Sequence, residues 1–334
     1  MSEAMTLNIT GSQAIDRALG AVIGSAAGDA LAIPYASSPA LLQKLQADKP
    51  VPLASAGQWQ EGEWASSTAM DLPVLEALVK KMDPASDDGQ TFIAERWINW
   101  SGKGMDDRLK ALFADTAERD VNKPDEGKTA TGPNMANAAR KQDIKKWGKS
   151  DLNRAPARIS ALALGYLGDG QEKALVDAAQ KLTDLTQPDE DAREASALVA
   201  LGIRNTILTG DPKWSEAIEF LGPIRKNVWT RRITDAEKSK VEDFNDNKTS
   251  HGAFQAAIAA LNGAKDVQAV LDRAVRGGGE SDRVAAIAGA LAGAKSGASK
   301  LPAWWQKLYG WPTKVDAIPD QVNSVMTRYE FDEE

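Results

Sequence analysis

The residues best suited to chemistry lie in the stretch "GGGESDR" near the end of the chain. Glu280 and Asp282 are separated by one residue, so two carboxylates could share acid and base roles or hold a cation. Arg283 follows directly, and a guanidinium group matches carboxylates in a fixed fork. The sequence therefore predicts ion pairs from Arg283 to both acids. The alternative is that Arg283 points to solvent.

Polar residues in two further segments belong to the same set of candidates. Asp29 follows a glycine in "GSAAGDA", where it could orient a pocket through hydrogen bonds or cap a neighbouring helix. Ser66, Ser67 and Thr68 stand just before an apolar helical pattern at residues 70–82. Small hydroxyl side chains at that place favour helix caps.

Composition excludes several kinds of site. The 334 residues include no cysteine, so neither a disulfide nor a thiolate metal site can form. His251 is the one histidine, which excludes a multi-histidine metal site within one chain and leaves it as the sole candidate base for a Ser-His-Asp triad. We interpret it instead as a loop residue. The net charge of −7 disfavours a general nucleic-acid binder.

Helical periodicity dominates the elements that must position these residues. Apolar residues recur with helical spacing at 15–30 and at 74–82, and residues 188–211 read as a long helix ending at Gly210. The segment 250–263 predicts another helix, with Ser250 as a possible N-cap. Few stretches alternate with period 2, so we predict an all-α fold of orthogonally packed helices.

Glycines and tryptophans suggest where these helices pack. Gly20, Gly24 and Gly28 share one face of the first helix, which predicts close contact with another helix. Trp304, Trp305 and Trp311 are expected to anchor the last segment by burial.

No run of about 18 apolar residues occurs, and the N-terminus lacks a signal-peptide pattern. We expect a protein of the cytoplasm, or part of a larger soluble assembly, with no membrane or nucleic-acid partner.

Three separated segments together resemble the ADP-ribosylglycohydrolase family. They are "GAVIGSAAGDALAIPYA", "GEWASSTAMDLPVLEAL" and "GGGESDRVAAIAGALAGAKSG". The last contains "AAIAGALAGA", which matches the family pattern residue for residue. The resemblance implies one compact all-α domain over residues 11–315, preceded by a polar extension at 1–10 and followed by a tail at 316–334 that packs on it or trails from it.

The same resemblance implies that the chemistry has changed. Members of this family remove ADP-ribose from modified proteins or related compounds, using two Mg²⁺ ions. The metal-binding Thr-Asp-Asp of the family falls on residues 65–67, and its Asp-x-Asp-Thr falls on residues 280–283. The acid that ends the first motif falls on Ala36. In the G-N-G-x-x-M-R loop, at residues 152–158, only Asn153 and Arg158 match.

The formal charge of the aligned residues determines whether Mg²⁺ ions could still bind. The four aspartates of the family pattern become Ser66, Ser67, Glu280 and Asp282, and its last threonine becomes Arg283, which leaves a formal charge of −1 against −4. Mg²⁺ is usually held by carboxylates, and an arginine beside the site would repel it. We therefore expect no metal cofactor, and we hypothesise that Arg283 takes over the electrostatic role of the metal.

Three functions remain open at this point. The chain could be a hydrolase homologue that no longer hydrolyses but still binds ADP-ribose or an ADP-ribosylated protein. It could be a structural or interaction subunit of an assembly. It could also be a metal-independent hydrolase with Glu280 and Asp282 as acid and base. Tyr35, Trp59 and Trp64 could stack on a ligand ring or be buried in the core. The ligand-binding candidates are Asp29, Tyr35, Trp64, Ser66, Ser67, Asn153, Arg158, Glu280, Asp282 and Arg283.

Overall fold

The computed structural model describes residues 5–100, 102–122, 131–145, 154–244 and 246–332. Within these ranges the chain is built of helices with one small sheet, which confirms the all-α prediction. The helices are α1 (Gly11–Ser37), α2 (Pro39–Leu42), α3 (Ser66–Val79), α4 (Asp87–Asn99), α5 (Asp107–Asn122), α6 (Thr131–Lys145), α7 (Glu172–Asp184), α8 (Glu190–Thr209), α9 (Trp214–Ala217), α10 (Pro223–Lys238), α11 (Ser250–Leu261), α12 (Val267–Arg276), α13 (Ser281–Ser296) and α14 (Ile318–Met326).

The two strands join the ends of the chain. β1 (Met5–Thr10) pairs in parallel with β2 (Tyr329–Asp332), with Met5 opposite Tyr329. Helix α14, just before β2, packs against α1 and α3. The sequence did not predict these strands, because each is too short to show clear alternation. Their pairing connects residues 5–10 with residues 329–332.

Helices α1 and α13 form the centre of the molecule and run in opposite directions. A Cβ atom placed on Gly24 would lie 2.2 Å from the carbonyl oxygen of Gly289, and one on Gly20 would lie 2.2 Å from that of Gly293. Real side chains cannot approach a backbone that closely, so only glycine allows these two helices to meet. The contact predicted from Gly20, Gly24 and Gly28 is confirmed.

Helix α1 is also long and apolar enough to cross a membrane by length and composition alone. However, 89% of its most apolar window is buried inside the protein. This is the pattern of a core helix, whose apolar faces are covered by other helices.

Several predicted helix ends need correction. The prediction that Ser66, Ser67 and Thr68 cap a helix is wrong, because α3 already begins at Ser66 and its N-cap is Ala65, whose side chain makes no capping bond. Helix α11 is capped by Thr249, which accepts from the Gly252 amide, and not by Ser250. The predicted end of α8 is confirmed, since Gly210 adopts a left-handed conformation with φ of 80°.

Candidate functional site

Asp29 caps helix α3 from a different helix. Its Oδ2 accepts hydrogen bonds from the Ala65 amide at 3.1 Å, the Thr68 amide at 2.9 Å and the Thr68 hydroxyl at 2.8 Å. These amides belong to the first turn of α3, where no intrahelical acceptor exists. The alternative that Asp29 caps a neighbouring helix is thus confirmed, and it explains why the hydroxyls of α3 are not needed as caps.

Burial makes Asp29 an unusual carboxyl group. The side chain is fully buried, and Oδ1 has no hydrogen-bond partner in the described chain. Burial and the nearby charge of Asp282 raise the pKa of Asp29 to about 7, against the opposing effect of the Thr68 hydrogen bonds. The group therefore changes its protonation state near neutral pH.

The loop before α13 is held by a side chain that the sequence analysis did not single out. Asn247 donates to the carbonyl of Gly278 at 2.8 Å and accepts from the amide of Glu280 at 3.0 Å. Gly279 has a φ of 63°, and a Cβ atom there would lie 2.4 Å from the Asn247 side chain. Only glycine combines that backbone conformation with that close approach. The two hydrogen bonds of Asn247 fix the position of the Glu280 backbone at the start of α13.

Arg283 pairs with both acids, as the sequence predicts. Its Nη1 donates to Glu280 Oε2 and lies 3.4 Å from each oxygen of Asp282. The Arg283 side chain is 8% exposed and that of Asp282 is 2% exposed, whereas Glu280 is 47% exposed. Burial opposes the charged guanidinium, but the carboxylates of Asp282, Glu280 and other acids outweigh it and raise the pKa of Arg283.

An open cleft lies beside this ion pair. It has a volume of about 480 Å³, and its walls are formed by Ala36, Asp246, Asn247, Lys248, Gly279 and Glu280. The volume is within the range of small-molecule sites. Of the ligand-binding candidates that the structure describes, only Glu280 lines it.

The aromatic candidates make contacts inside the protein. Tyr35 is buried and donates its hydroxyl to the Pro52 carbonyl at 2.7 Å. Trp64 is buried, and its indole donates to the carbonyl of Trp311 at 2.8 Å. Trp59 is also buried, beneath the ammonium of Lys103. Of the two roles left open for these residues, the structure shows core burial, and their assignment to a ligand site stays a prediction.

Arg158 is equally deep in the protein. It stacks on the Trp97 ring at 4.6 Å and donates to Thr186 Oγ1. Burial and the neighbouring charge of Arg154 lower its pKa to about 9, although Asp71 acts in the opposite direction. Its partner in the predicted loop motif, Asn153, lies outside the described residues.

His251 corrects another prediction. It is the second residue of α11 rather than a loop residue, and its Nδ1 lies 3.0 Å from Asp191 Oδ2. Arg225 and Arg232 contact the same carboxylate. An imidazole held within this network between α8, α10 and α11 has a structural role.

The donors at the candidate site do not fit a pair of Mg²⁺ ions. Ser66 and Ser67 are buried, and their hydroxyls carry no charge. Asp29 uses one oxygen to cap α3, and Asp282 is ion-paired to Arg283. In the described chain no group of three or more acidic or histidine side chains is arranged to hold a metal. A buried guanidinium in this set opposes a divalent cation.

Sequence reasoning missed Arg154 and Asp106 as well as Asn247. Arg154 pairs with Asp106 and contributes positive charge next to Arg283. Asp106 precedes α5, whose Leu109 amide it also caps at 2.7 Å. The available signal was the placement of Arg154 within the segment aligned to the family's ligand loop, at a position where that pattern has glycine.

The chain is similar to known proteins in both sequence and fold. A family model for ADP-ribosylglycohydrolase matches residues 10–331. One similar solved structure, described as an ADP-ribosylglycohydrolase-related protein complex, superposes with a TM-score of 0.66 at 19% identity, covering 95% of this chain and 99% of that one. No curated protein matches the chain by sequence. Because the family model spans nearly the whole chain, the protein belongs to the ADP-ribosylglycohydrolase family.

Proposed function

We propose that this protein is a family member that does not carry out di-magnesium hydrolysis. The observation that supports the proposal is the buried Arg283, which pairs with Asp282 and Glu280 at the start of α13. A permanent cation supplied by the chain neutralises these acids without a metal. The two serines at the start of α3 remove the other charges that would bind Mg²⁺.

Restoring the family residues tests this proposal directly. The variant carries Ser66→Asp, Ser67→Asp and Arg283→Thr, which return three acidic or neutral family residues to the site. We expect Mg²⁺ to raise the melting temperature of the variant and to leave the wild type unchanged, because only a protein that binds the ion is stabilised by it. The single variant Arg283→Thr is the control that separates loss of the arginine from gain of carboxylates. Stabilisation of the wild type by millimolar Mg²⁺ would overturn the proposal.

We propose further that the cleft beside Glu280 binds ADP-ribose or a related nucleotide. The cleft has the volume of a small-molecule site, and Ala36, at the end of the first family motif, lies in its wall. Thermal stability measured against ADP-ribose concentration, with and without Mg²⁺, tests this. A ligand-dependent rise that is independent of Mg²⁺ is expected. Lys248→Gln, which removes the cation from the wall, should weaken it, and no rise at millimolar ligand would contradict binding.

A second candidate is an interaction protein that uses only the helical body. The favouring observation is that Tyr35, Trp59, Trp64 and Arg158 are all engaged inside the protein. The solved relative is itself described as a protein complex. Light scattering measures the mass of the purified protein, and co-purification identifies any bound partner. An assembly larger than one chain, or a co-purifying partner, would favour this role over nucleotide binding alone.

Metal-independent hydrolysis is the remaining alternative. It predicts that the protein releases ADP-ribose from a modified substrate without Mg²⁺ and that Glu280→Gln abolishes this release.

A further inference from the structure

A second groove lies between α8, α9 and the turn before α7. Its volume is about 280 Å³. That is just below the range of about 300–1,000 Å³ that is typical of small-molecule sites. Apolar walls come from Leu201 and Ala217, which are buried, and from the half-buried Leu208. A groove of this size and lining suits one apolar side chain better than a whole nucleotide.

Exposed apolar side chains continue this groove onto the surface. Phe220 lines the groove and is 37% exposed. Ile224 is 80% exposed and is the second residue of α10, which packs against the turn that contains Phe220. Among the described residues, only Ile144 and Tyr309 are further large apolar side chains with such exposure. Exposed apolar surface concentrated beside a groove is typical of a protein interaction site.

The buried guanidinium in the groove wall is not free to bind an anion. The Nε of Arg204 donates to the Tyr166 carbonyl at 2.8 Å, and its Nη2 donates to the Gly168 carbonyl at 2.8 Å. Its Nη1 donates to Asn205 Oδ1 at 3.3 Å and lies 3.0 Å from Glu172 Oε1. Because all three nitrogens already have acceptors within the chain, Arg204 has a structural role here.

The charges around the groove favour a cationic partner. Three acids and two bases line it, which gives a formal charge of −1. Both bases are paired within the chain, since Lys213 lies 3.3 Å from Glu216 and Arg204 contacts Glu172. Asp169 is exposed and makes no ion pair with any residue that the structure describes. A lysine or arginine next to an inserted apolar side chain would complement that charge.

The same charges disfavour two other occupants. If this face met the same face of a second copy, Asp169 of each chain would approach like charge. An anionic lipid surface attracts clusters of basic side chains, whereas the formal charge of this groove is negative.

We propose that this groove binds a segment of a partner protein in which an apolar side chain stands next to Lys or Arg. The apolar side chain enters between Leu201, Leu208 and Ala217 and contacts Phe220, and the basic side chain pairs with Asp169. The proposal does not rest on nucleotide binding, because the groove shares no residue with the cleft beside Glu280.

Selection from a display library of short random peptides on the immobilised protein tests the proposal. The variant Phe220→Ser is used for counter-selection, so that peptides binding elsewhere are removed. We expect the enriched peptides to carry an aromatic or aliphatic residue next to Lys or Arg. A synthetic peptide of the enriched sequence should bind F220S about tenfold more weakly than the wild type. It should bind Asp169→Asn about threefold more weakly, with a difference that shrinks at high salt.

The matched control is Ile144→Ser. It also removes an exposed apolar side chain, from a position on α6 that does not line the groove, so its affinity for the peptide should equal that of the wild type. Phe220 and Asp169 are exposed, so both variants should fold, which circular dichroism checks.

Two results would overturn the proposal. One is the absence of an enriched sequence, or an enriched peptide that binds F220S as tightly as the wild type. The other is self-association of the wild type that F220S abolishes, which would assign this face to a second copy of the chain.

Discussion

The two halves of the contact between α1 and α13 differ in which residues they tolerate. Along the apolar half, Gly20 and Gly24 face Gly293 and Gly289 with no room for a Cβ atom. At the polar end, Asp29 of α1 approaches the start of α13, where Arg283 pairs with Asp282 and Glu280. The apolar half admits no alternative residue, because any side chain meets backbone. The polar end admits charged side chains, because the acids at the start of α13 are paired with Arg283.

The largest expected effect comes from filling the apolar half. Gly24→Val places atoms where the Gly289 carbonyl oxygen already lies 2.2 Å from a Cβ atom. We expect a loss of about 4 kcal/mol or more in the free energy of unfolding, since neither backbone can move without displacing its helix. Urea denaturation followed by circular dichroism measures it. Gly222→Ala is the control, as that glycine has open space around it and the change should cost under about 1 kcal/mol.

The next largest effect comes from the cation at the polar end. Arg283→Ala leaves the buried Asp282 without its ion pair, and we expect a loss of about 3 kcal/mol. Urea denaturation at neutral pH measures the loss. The double variant Arg283→Met with Asp282→Leu removes both charges and should recover part of it. If the double variant were no more stable than R283A, the ion pair would not be the source of the effect.

Removal of the cap should cost somewhat less. Asp29→Ala leaves two amides and one hydroxyl at the start of α3 without their acceptor, which predicts a loss of about 2 kcal/mol. Asp29→Asn keeps one acceptor oxygen and should cost less. Hydrogen exchange at the amides of Ala65 and Thr68 distinguishes local opening of α3 from global unfolding. Equal protection of these amides in D29A and in the wild type would contradict the capping role.

Asp29 also predicts a dependence on pH. Its pKa is raised from 3.8 in the unfolded chain to about 7 in the folded protein, so between these values the folded state holds a proton that the unfolded state has released. Stability therefore falls as pH rises through this window and levels off above it. The difference in unfolding free energy between the wild type and D29N, measured from pH 4 to pH 8, isolates this contribution from other acids. A flat difference would show that the two states bind the proton equally.

The smallest expected effect is on the exposed side of the ion pair. Glu280→Gln should cost under about 1 kcal/mol, because the Glu280 side chain is 47% exposed and its charge is solvated. The same denaturation measurement, set beside R283A, tests whether Asp282 carries most of the pairing. A cost in E280Q as large as that in R283A would place the main interaction on the solvent side.

Much of this fold was predictable because helical spacing and glycine spacing are local signals. The boundaries of α8, the glycine face of α1 and the pairing of Arg283 with its neighbours at i−1 and i−3 all depend on residues close in sequence. The capping of α3 by Asp29 was left open, and the hydrogen bonds of Asn247 to the loop before α13 were missed. Asp29 lies 39 residues from Thr68, and Asn247 lies 33 residues from Glu280. Local patterns contain no information about such partners.

The sequence by itself determined the family, the all-α architecture and the loss of charge at the metal motif, because each is a matter of residue type at a given spacing. Only the tertiary structure decided which polar groups are buried and what they contact. It assigned Asp29 to the cap of α3 and turned Tyr35 and Trp64 inward. Burial and hydrogen bonding depend on elements distant in the sequence, so these roles arise only when the helices pack together.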